Sequence, residues 1–279
     1  MRELGLAIYP APHAGVLDFL ALAAVCYAGL LTIYFGIGGL LHWLNARHPE
    51  RRIQSRPQKN QIAMEIRQSL LSLSTIAVYV AAGVFAQAKG WTMAPLELGW
   101  LSVIGMGLVS LVLYDAWFYW GHRLMHTAPL YRFHAHHHKS IVPTPWSNNS
   151  DSLVGAFVEQ SYFLVIPFLL PIPPDVLIAH KIYDQISGMV GHAGHEYFAS
   201  PIARRPWPMV ATTYHDQHHG YFRYNYANTF TWWDRLMGTL HPTYDDVVRK
   251  FETSDARTPD GGSRPTGGAS GSGPTTTAS

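Results

Sequence analysis

Hydrophobic positions gather into long uncharged runs, without the alternating or three-to-four spacing of a soluble fold. Residues 19–41 form a run of 23 without a charge, and a bilayer's hydrocarbon core needs about 20. Residues 69–88 repeat the pattern over 20 positions and residues 98–114 over 17. The third run continues into Trp117, Phe118, Tyr119 and Trp120, an aromatic cluster suited to a membrane–water interface. Three transmembrane helices are predicted. The first run is too long for a signal-peptide core and has no A-x-A cleavage pattern after it.

Two shorter apolar segments follow, 153–170 and 175–190, with Pro167, Pro171, Pro173 and Pro174 at their junction. Proline stops or turns helices. The pair predicts a helical hairpin, shallow or fully spanning, whose ends return to one side. Glu159, His180, Lys181 and Asp184 make it less apolar than the first three runs.

Charge gives the orientation. The loop at 42–68 holds Arg47, Arg51, Arg52, Arg56, Lys59 and Arg67, whereas the other side has only Arg2 and Lys89. The positive-inside rule makes the basic loop cytoplasmic. Three crossings then bring the chain back to the cytoplasm just after Trp120, where a histidine-rich region begins. The fold class expected is an all-α integral membrane protein, three spans plus a hairpin, capped by a cytoplasmic histidine-rich helical domain. Its divisions are 1–100, an N-terminal transmembrane region, and 101–252, the domain carrying the chemistry. Residues 253–279, rich in Gly, Ser, Thr and Pro, read as a disordered tail. The setting expected is a bacterial inner membrane, or the endoplasmic reticulum in a eukaryote.

Composition narrows the chemistry. Of 279 residues, 14% are charged and the formal net charge is +2, too little to attract a polyanion, so nucleic acid is not an expected partner. The single cysteine, Cys26, excludes a disulfide framework and any cysteine-ligated zinc or iron–sulfur cluster within the chain. Sixteen histidines, by contrast, are many.

Eleven of these fall in short clusters: His122 and His126; His134, His136, His137 and His138; His192 and His195; His215, His218 and His219. On a helix, residues at i, i+3 and i+4 share a face, so each H-x-x-H-H triplet is expected to present its imidazoles to one point. One such triplet arises by chance in roughly one of twenty chains of this histidine content, and two far more rarely. Neutral imidazole suits iron, zinc and copper. The candidate ligands are His122, His126, His134, His137, His138, His192, His195, His215, His218 and His219. Ten exceed the needs of one ion, so two metals are expected. His136 lies off the shared face. His13, His42, His48, His180 and His241 stand alone and read as surface or packing residues.

Soluble di-iron bundles use Glu and Glu-x-x-His; these triplets hold no carboxylate. An all-imidazole pair of irons at a membrane face points to O2 activation against a lipid C–H bond. A zinc hydrolase would need one ion, about three ligands and a water. Asp115 lies two helical turns before His122. It is a candidate to hydrogen-bond a liganding imidazole, with a salt bridge to Arg123 as the alternative. Asn225, Asp234 and Arg235 are candidates to support the ligands or lock the fold.

His122-x-x-x-His126, His134-x-x-His137-His138 and His215-x-x-His218-His219, followed by Asn225-Tyr226 and the run from Trp233 to Thr239, resemble the fatty acid hydroxylase superfamily, also called the sterol desaturase family. The resemblance covers roughly residues 100–245. Residues 138–146 (HKSIVPTPW) are similar to its C5-sterol desaturase branch, whereas Asn148-Asn149-Ser150-Asp151 and His192-Ala193-Gly194-His195-Glu196 depart from that branch. The resemblance implies a membrane di-iron oxygenase that uses O2 and two electrons to hydroxylate or desaturate a fatty acyl or sterol-like lipid. Hydroxylation is set ahead of desaturation, and a histidine-rich metal transporter or sensor is the reading from another class. No catalytic residue is expected beyond the ligands. The sequence shows no haem-binding domain, no dinucleotide fingerprint and no ferredoxin cysteine set. An external electron donor is therefore expected: a ferredoxin, or cytochrome b5 with its reductase.

Overall fold

In the computed structural model, residues 9–255 are described, and they form ten α-helices. Three of these are long and apolar enough to cross a membrane: α1 Val16–Arg47, α2 Ile62–Ala88 and α3 Trp100–Met125. They cover the three predicted runs. Their outer faces are apolar and open: Leu17, Trp100, Leu101 and Leu108 are each at least 60% exposed. Patches of that kind are covered by a partner or by lipid. The protein is an all-α, multi-pass membrane protein.

The most enclosed span is α2, which packs between α1 and the predicted hairpin. The hairpin's first arm is two helices rather than one, α5 Leu153–Gln160 and α6 Tyr162–Leu169, followed by α7 Pro174–Gly191. Pro167 sits inside α6. Lacking an N–H, it leaves the Phe163 carbonyl without its helical donor. That carbonyl faces Gly83 of α2, where a Cβ would overlap it. Gly83→Ala is therefore expected to force α2 and α6 apart, at about 1–3 kcal/mol; a lower melting temperature in detergent is the check.

The hairpin's tip lies level with the end of α2. Gln87 Nε2 donates to the Ile172 carbonyl at 2.7 Å, and the Leu96 N–H donates to the Pro171 carbonyl at 2.9 Å. Both arms thus run from the histidine-rich end of the bundle to the α2–α3 connection.

Between α4 (Ala128–His134) and α5, the irregular stretch 140–151 is buried in the bundle. Irregular backbone at such depth survives only where protein satisfies it. Glu65 of α2 accepts from Gln61, Ser140 and Thr144, each at 2.6 Å. The Trp146 carbonyl accepts from Tyr34 and Ser69, and its ring fills the space where a Cβ on Gly38 would stand.

The cap consists of α4, α8 (Thr212–Tyr221), α9 (Trp232–Met237) and α10 (Tyr244–Asp255). A small core around Tyr119, Tyr214, Tyr226 and Tyr244 joins it to α3. The basic α1–α2 connector straps across this cap. The Glu196 N–H donates to the Arg51 carbonyl, the Ile53 N–H to that of Gly194, and Arg56 to that of Gly220. The basic loop and the histidine clusters therefore share one face. Residues 253–255 continue α10; the rest of the expected tail lies outside the described residues.

Candidate metal centre

Nine of the ten candidate imidazoles converge, and they do so as two groups. His122, His126, His134, His138 and His218 form one; His137, His192, His215 and His219 form the other. Within each group the ligating nitrogens lie within 4.8 Å of one another. The groups abut, with the His138 and His219 rings 4.9 Å apart.

Local structure explains the split. His122 and His126 stand one turn apart at the end of α3, and both join the first group. The triplets do not each serve one point, as their spacing led us to expect. In α8, His215 and His219 (i, i+4) stay together, while His218 projects about 100° away from His219 and joins the other group. The upstream triplet is not one helix at all. α4 ends at His134, and His137 and His138 lie in a separate 3-10 turn, His137–Lys139. His134 and His138 enter the first group and His137 the second.

His195 is the exception. Gly194, at φ +70, turns the chain away after His192. His195 Nδ1 faces its own Ala193 carbonyl and the ring lies parallel to Tyr197, outside both groups. His136 is also outside, beside Lys139.

Backbone carbonyls orient the rings. Nδ1 of His122 donates to Tyr226, that of His192 to Gly188, that of His218 to Tyr224, and that of His219 to Ser140, all at 2.7–2.9 Å. His137 donates likewise to Ser150 at 3.3 Å. A carbonyl can only accept, so each of these rings carries its proton on Nδ1 and leaves Nε2 a bare lone pair. The Nε2 atoms of His137 and His192 then face each other at 3.2 Å with no hydrogen between them. Other neighbouring Nε2 atoms lie 3.0–3.2 Å apart. Imidazoles about 2.0–2.1 Å from a shared cation would have edges of about that length. Lone pairs so placed repel unless a cation lies among them, and the donor set fits a metal pair.

Burial keeps these imidazoles neutral. It pushes His134 down to about 3 and His137 to about 4, and carries His138, His192, His215, His218 and His219 well below the ordinary value. Neighbouring imidazoles lower most of them further. An unfolded histidine titrates near 6.5. Between about pH 6.5 and 4, the unfolded chain binds protons that the folded one refuses, so stability rises with pH. Metal-free protein is therefore expected to lose stability steadily as pH falls through that window. Melting curves taken at successive pH values would show it.

Asp115 bonds no imidazole, contrary to expectation, and no salt bridge to Arg123 forms. Its Oδ1 accepts the backbone N–H groups of Asn228, Thr229 and Phe230, and Oδ2 accepts the Trp232 indole. Arg123 donates to Tyr119 instead. Asn225 and Asp234 also act on the backbone. Asn225, at φ 60, donates to the Tyr214 carbonyl and accepts the His241 N–H. Asp234 accepts from Tyr226 N–H, Ala227 N–H, Thr239 and the Tyr214 hydroxyl. Together these three residues hold the loop whose Tyr224 and Tyr226 carbonyls orient His218 and His122. Arg235 is paired with Asp245.

Sequence reasoning missed Glu196, which accepts the N–H and hydroxyl of Thr213 at the start of α8 and so sets that helix. Its position right after a histidine motif was the available signal. The carbonyl partners carried no signal, because every residue has one.

A cavity of about 400 Å³ opens beside the two groups. His122, His137, His192 and His215 form part of its wall, and Ile76, Phe118, Ala156 and Val190 are among its apolar lining.

A family model described as fatty acid hydroxylase matches residues 107–239, the stretch containing every one of these histidines. Residues 107–239 are thus similar to a fatty acid hydroxylase domain. Lathosterol oxidase of Rattus norvegicus is 27% identical to it, over 85% of this chain and 81% of that protein. The Homo sapiens lathosterol oxidase is also 27% identical, over 84% and 80%. A Delta(7)-sterol 5(6)-desaturase of Leptosphaeria maculans is 26% identical over 79% and 61%. No solved structure gives a significant match. With this domain and these relatives, the chain is an O2-dependent oxidoreductase, a lipid oxygenase or desaturase.

Proposed function

We propose that this protein is a membrane di-iron enzyme that desaturates a sterol-like lipid, using O2 and electrons from a separate donor. The observation that carries the reading is the double group of converging imidazoles, four of which line a largely apolar cavity. His122, His126, His134, His138 and His218 would hold one iron, and His137, His192, His215 and His219 the other. Bound there, the irons would supply the reduction of O2 that drives removal of hydrogen from a C–H bond.

The chain's own residues do the rest. The carbonyls of Tyr224, Tyr226, Ser140, Ser150 and Gly188 hold the rings with Nε2 aimed inward. The apolar lining binds the lipid body and excludes water from the reacting carbon. Hydroxylation and desaturation begin with the same hydrogen abstraction, so residue chemistry does not separate them; the relatives' names favour desaturation.

The donor we propose is a ferredoxin, or cytochrome b5 with its reductase. The strap of Arg51, Arg52 and Arg56 against the cap supports a cytoplasmic histidine face by the positive-inside rule, in a bacterial inner membrane or, in a eukaryote, the endoplasmic reticulum. The test is anaerobic purification, an iron count, and mass spectrometry of lathosterol after incubation with O2 and a reductase system. About two irons per chain and a product lighter by two hydrogens are expected. A product heavier by one oxygen would mean hydroxylation, and fewer than about one iron per chain would defeat the di-iron reading.

A further inference from the structure

Part of the cap sits too deep along α3 to be surrounded by water. Glu97 is the last charge before that span. Counted from there, a hydrocarbon core of about 20 residues ends near Trp117, where the aromatic cluster begins. Asp115 lies inside that limit, yet its carboxylate holds the N–H groups of residues 228–230 and the Trp232 indole. The start of α9 is thereby fixed at the depth of the acyl chains. A second segment is tied to it. The Thr231 N–H donates to the Pro208 carbonyl, Met209 pairs with Phe230 in an antiparallel bridge, and the Met209 N–H donates to the Ile202 carbonyl.

Both segments turn apolar side chains outward. Leu236 of α9 is 75% exposed, and Phe198, Ile202 and Trp207 are each more than half exposed. With Trp120 and Leu124 at the end of α3, they continue the open apolar faces of the spans onto the cap. Open apolar patches of this kind mark membrane or protein contacts. Arg205, exposed between Ile202 and Trp207, is a cation suited to lipid phosphates. Elsewhere the cap and its strap are polar, with Arg56, Lys59, Lys139 and Arg223 exposed. The cavity reaches the apolar rim: Phe198, Ile202 and Met209 belong to its lining together with His192 and His215.

We propose that the rim built from the 198–209 segment and α9 is embedded in the leaflet nearest the histidines, so that the cavity opens into lipid at Ile202 rather than into water. The occupant of the patch is lipid and not a second copy of the chain. Trp232 is held at acyl-chain depth, and the patch is continuous with spans that lipid already surrounds. The placement of the rim stands on the contacts of Asp115 and the exposed side chains. Its consequence rests on the lipid-oxidation reading above: a lipid dissolved in the bilayer reaches the imidazoles without crossing water.

The test places single spin labels on the full chain in vesicles of phosphatidylcholine and phosphatidylglycerol. Cys26 is the single cysteine, so Cys26→Ser gives a clean background. Ile202→Cys and Leu236→Cys carry labels on the rim; Leu108→Cys and Lys59→Cys serve as the lipid and water references. Collision with oxygen, which concentrates in lipid, is compared with collision with a water-soluble nickel chelate. The labels at 202 and 236 are expected about 5–10 Å below the phosphates. Nickel collisions there as frequent as at 59 put the rim in water and overturn the proposal. Labels shielded from both agents mean a protein cover, such as a second copy, and overturn it too. On the unaltered chain, a bilayer-confined aryl diazirine is expected to label peptides from 198–209 and 232–237. Labelling confined to α1, α2 and α3 overturns the proposal without any variant. Neither readout involves iron or oxidation. A rim in lipid on a chain that oxidises nothing supports the placement and counts against the proposed function, whereas a rim in water on an active enzyme does the reverse.

Discussion

Alanine at His218 is expected to abolish product formation and to lower iron content, while the protein still inserts into membranes. His218 is fully buried, its Nδ1 is fixed by the Tyr224 carbonyl, and its Nε2 lies 3.1 Å from that of His138. No neighbouring side chain can take its place, because the ring fills a position set by α8. His137→Ala is expected to do the same through the other group. His195→Ala is the contrast: that ring faces away, and the variant is expected to keep its iron and its activity. Iron analysis and product mass spectrometry on the three variants decide the matter. Full activity in the His218 or His137 variant, or a dead His195 variant, would overturn the division of the ligands drawn here.

The second large effect is expected from Asp234→Ala. Asp234 is completely buried and receives four donors. Its removal leaves the Tyr226 N–H and the Tyr214 hydroxyl without an acceptor, at about 1–3 kcal/mol each where no water reaches them, whereas the Ala227 N–H keeps the Tyr214 oxygen and the Thr239 hydroxyl keeps Tyr119. The loop then loosens its Tyr226 carbonyl from His122. Outer partners of metal ligands typically carry about 10- to 100-fold in metal affinity or activity. A chelator titration is expected to show that loss, together with a lower melting temperature. Unchanged iron retention would mean that the loop is held by Asn225 and Asp115 without Asp234.

The spans were legible because an apolar run of bilayer length has few other uses. The hairpin was legible as an arm–turn–arm pattern, but not the break at Ser161, which has no Gly or Pro beside it. The histidine spacing identified nine rings that converge. It could not show how they divide, because the division depends on where α4 stops. Nothing in Phe133-His134-Ala135-His136 marks that stop. His195 misled for a related reason: the turn at Gly194 reverses the direction that a regular helix would have given. Asp115 was rightly singled out as a carboxylate needing a partner, but its partners are peptide N–H groups from more than a hundred residues downstream, which no local pattern reveals.

The shared triplets also govern how the protein matures. Since α8 and the His137–Lys139 turn each contribute to both groups, whichever iron arrives first organises segments that its neighbour requires. Loading is therefore expected to be all-or-none, with half-filled chains scarce at every iron supply, and a starved cell would hold a mixture of finished and empty enzyme.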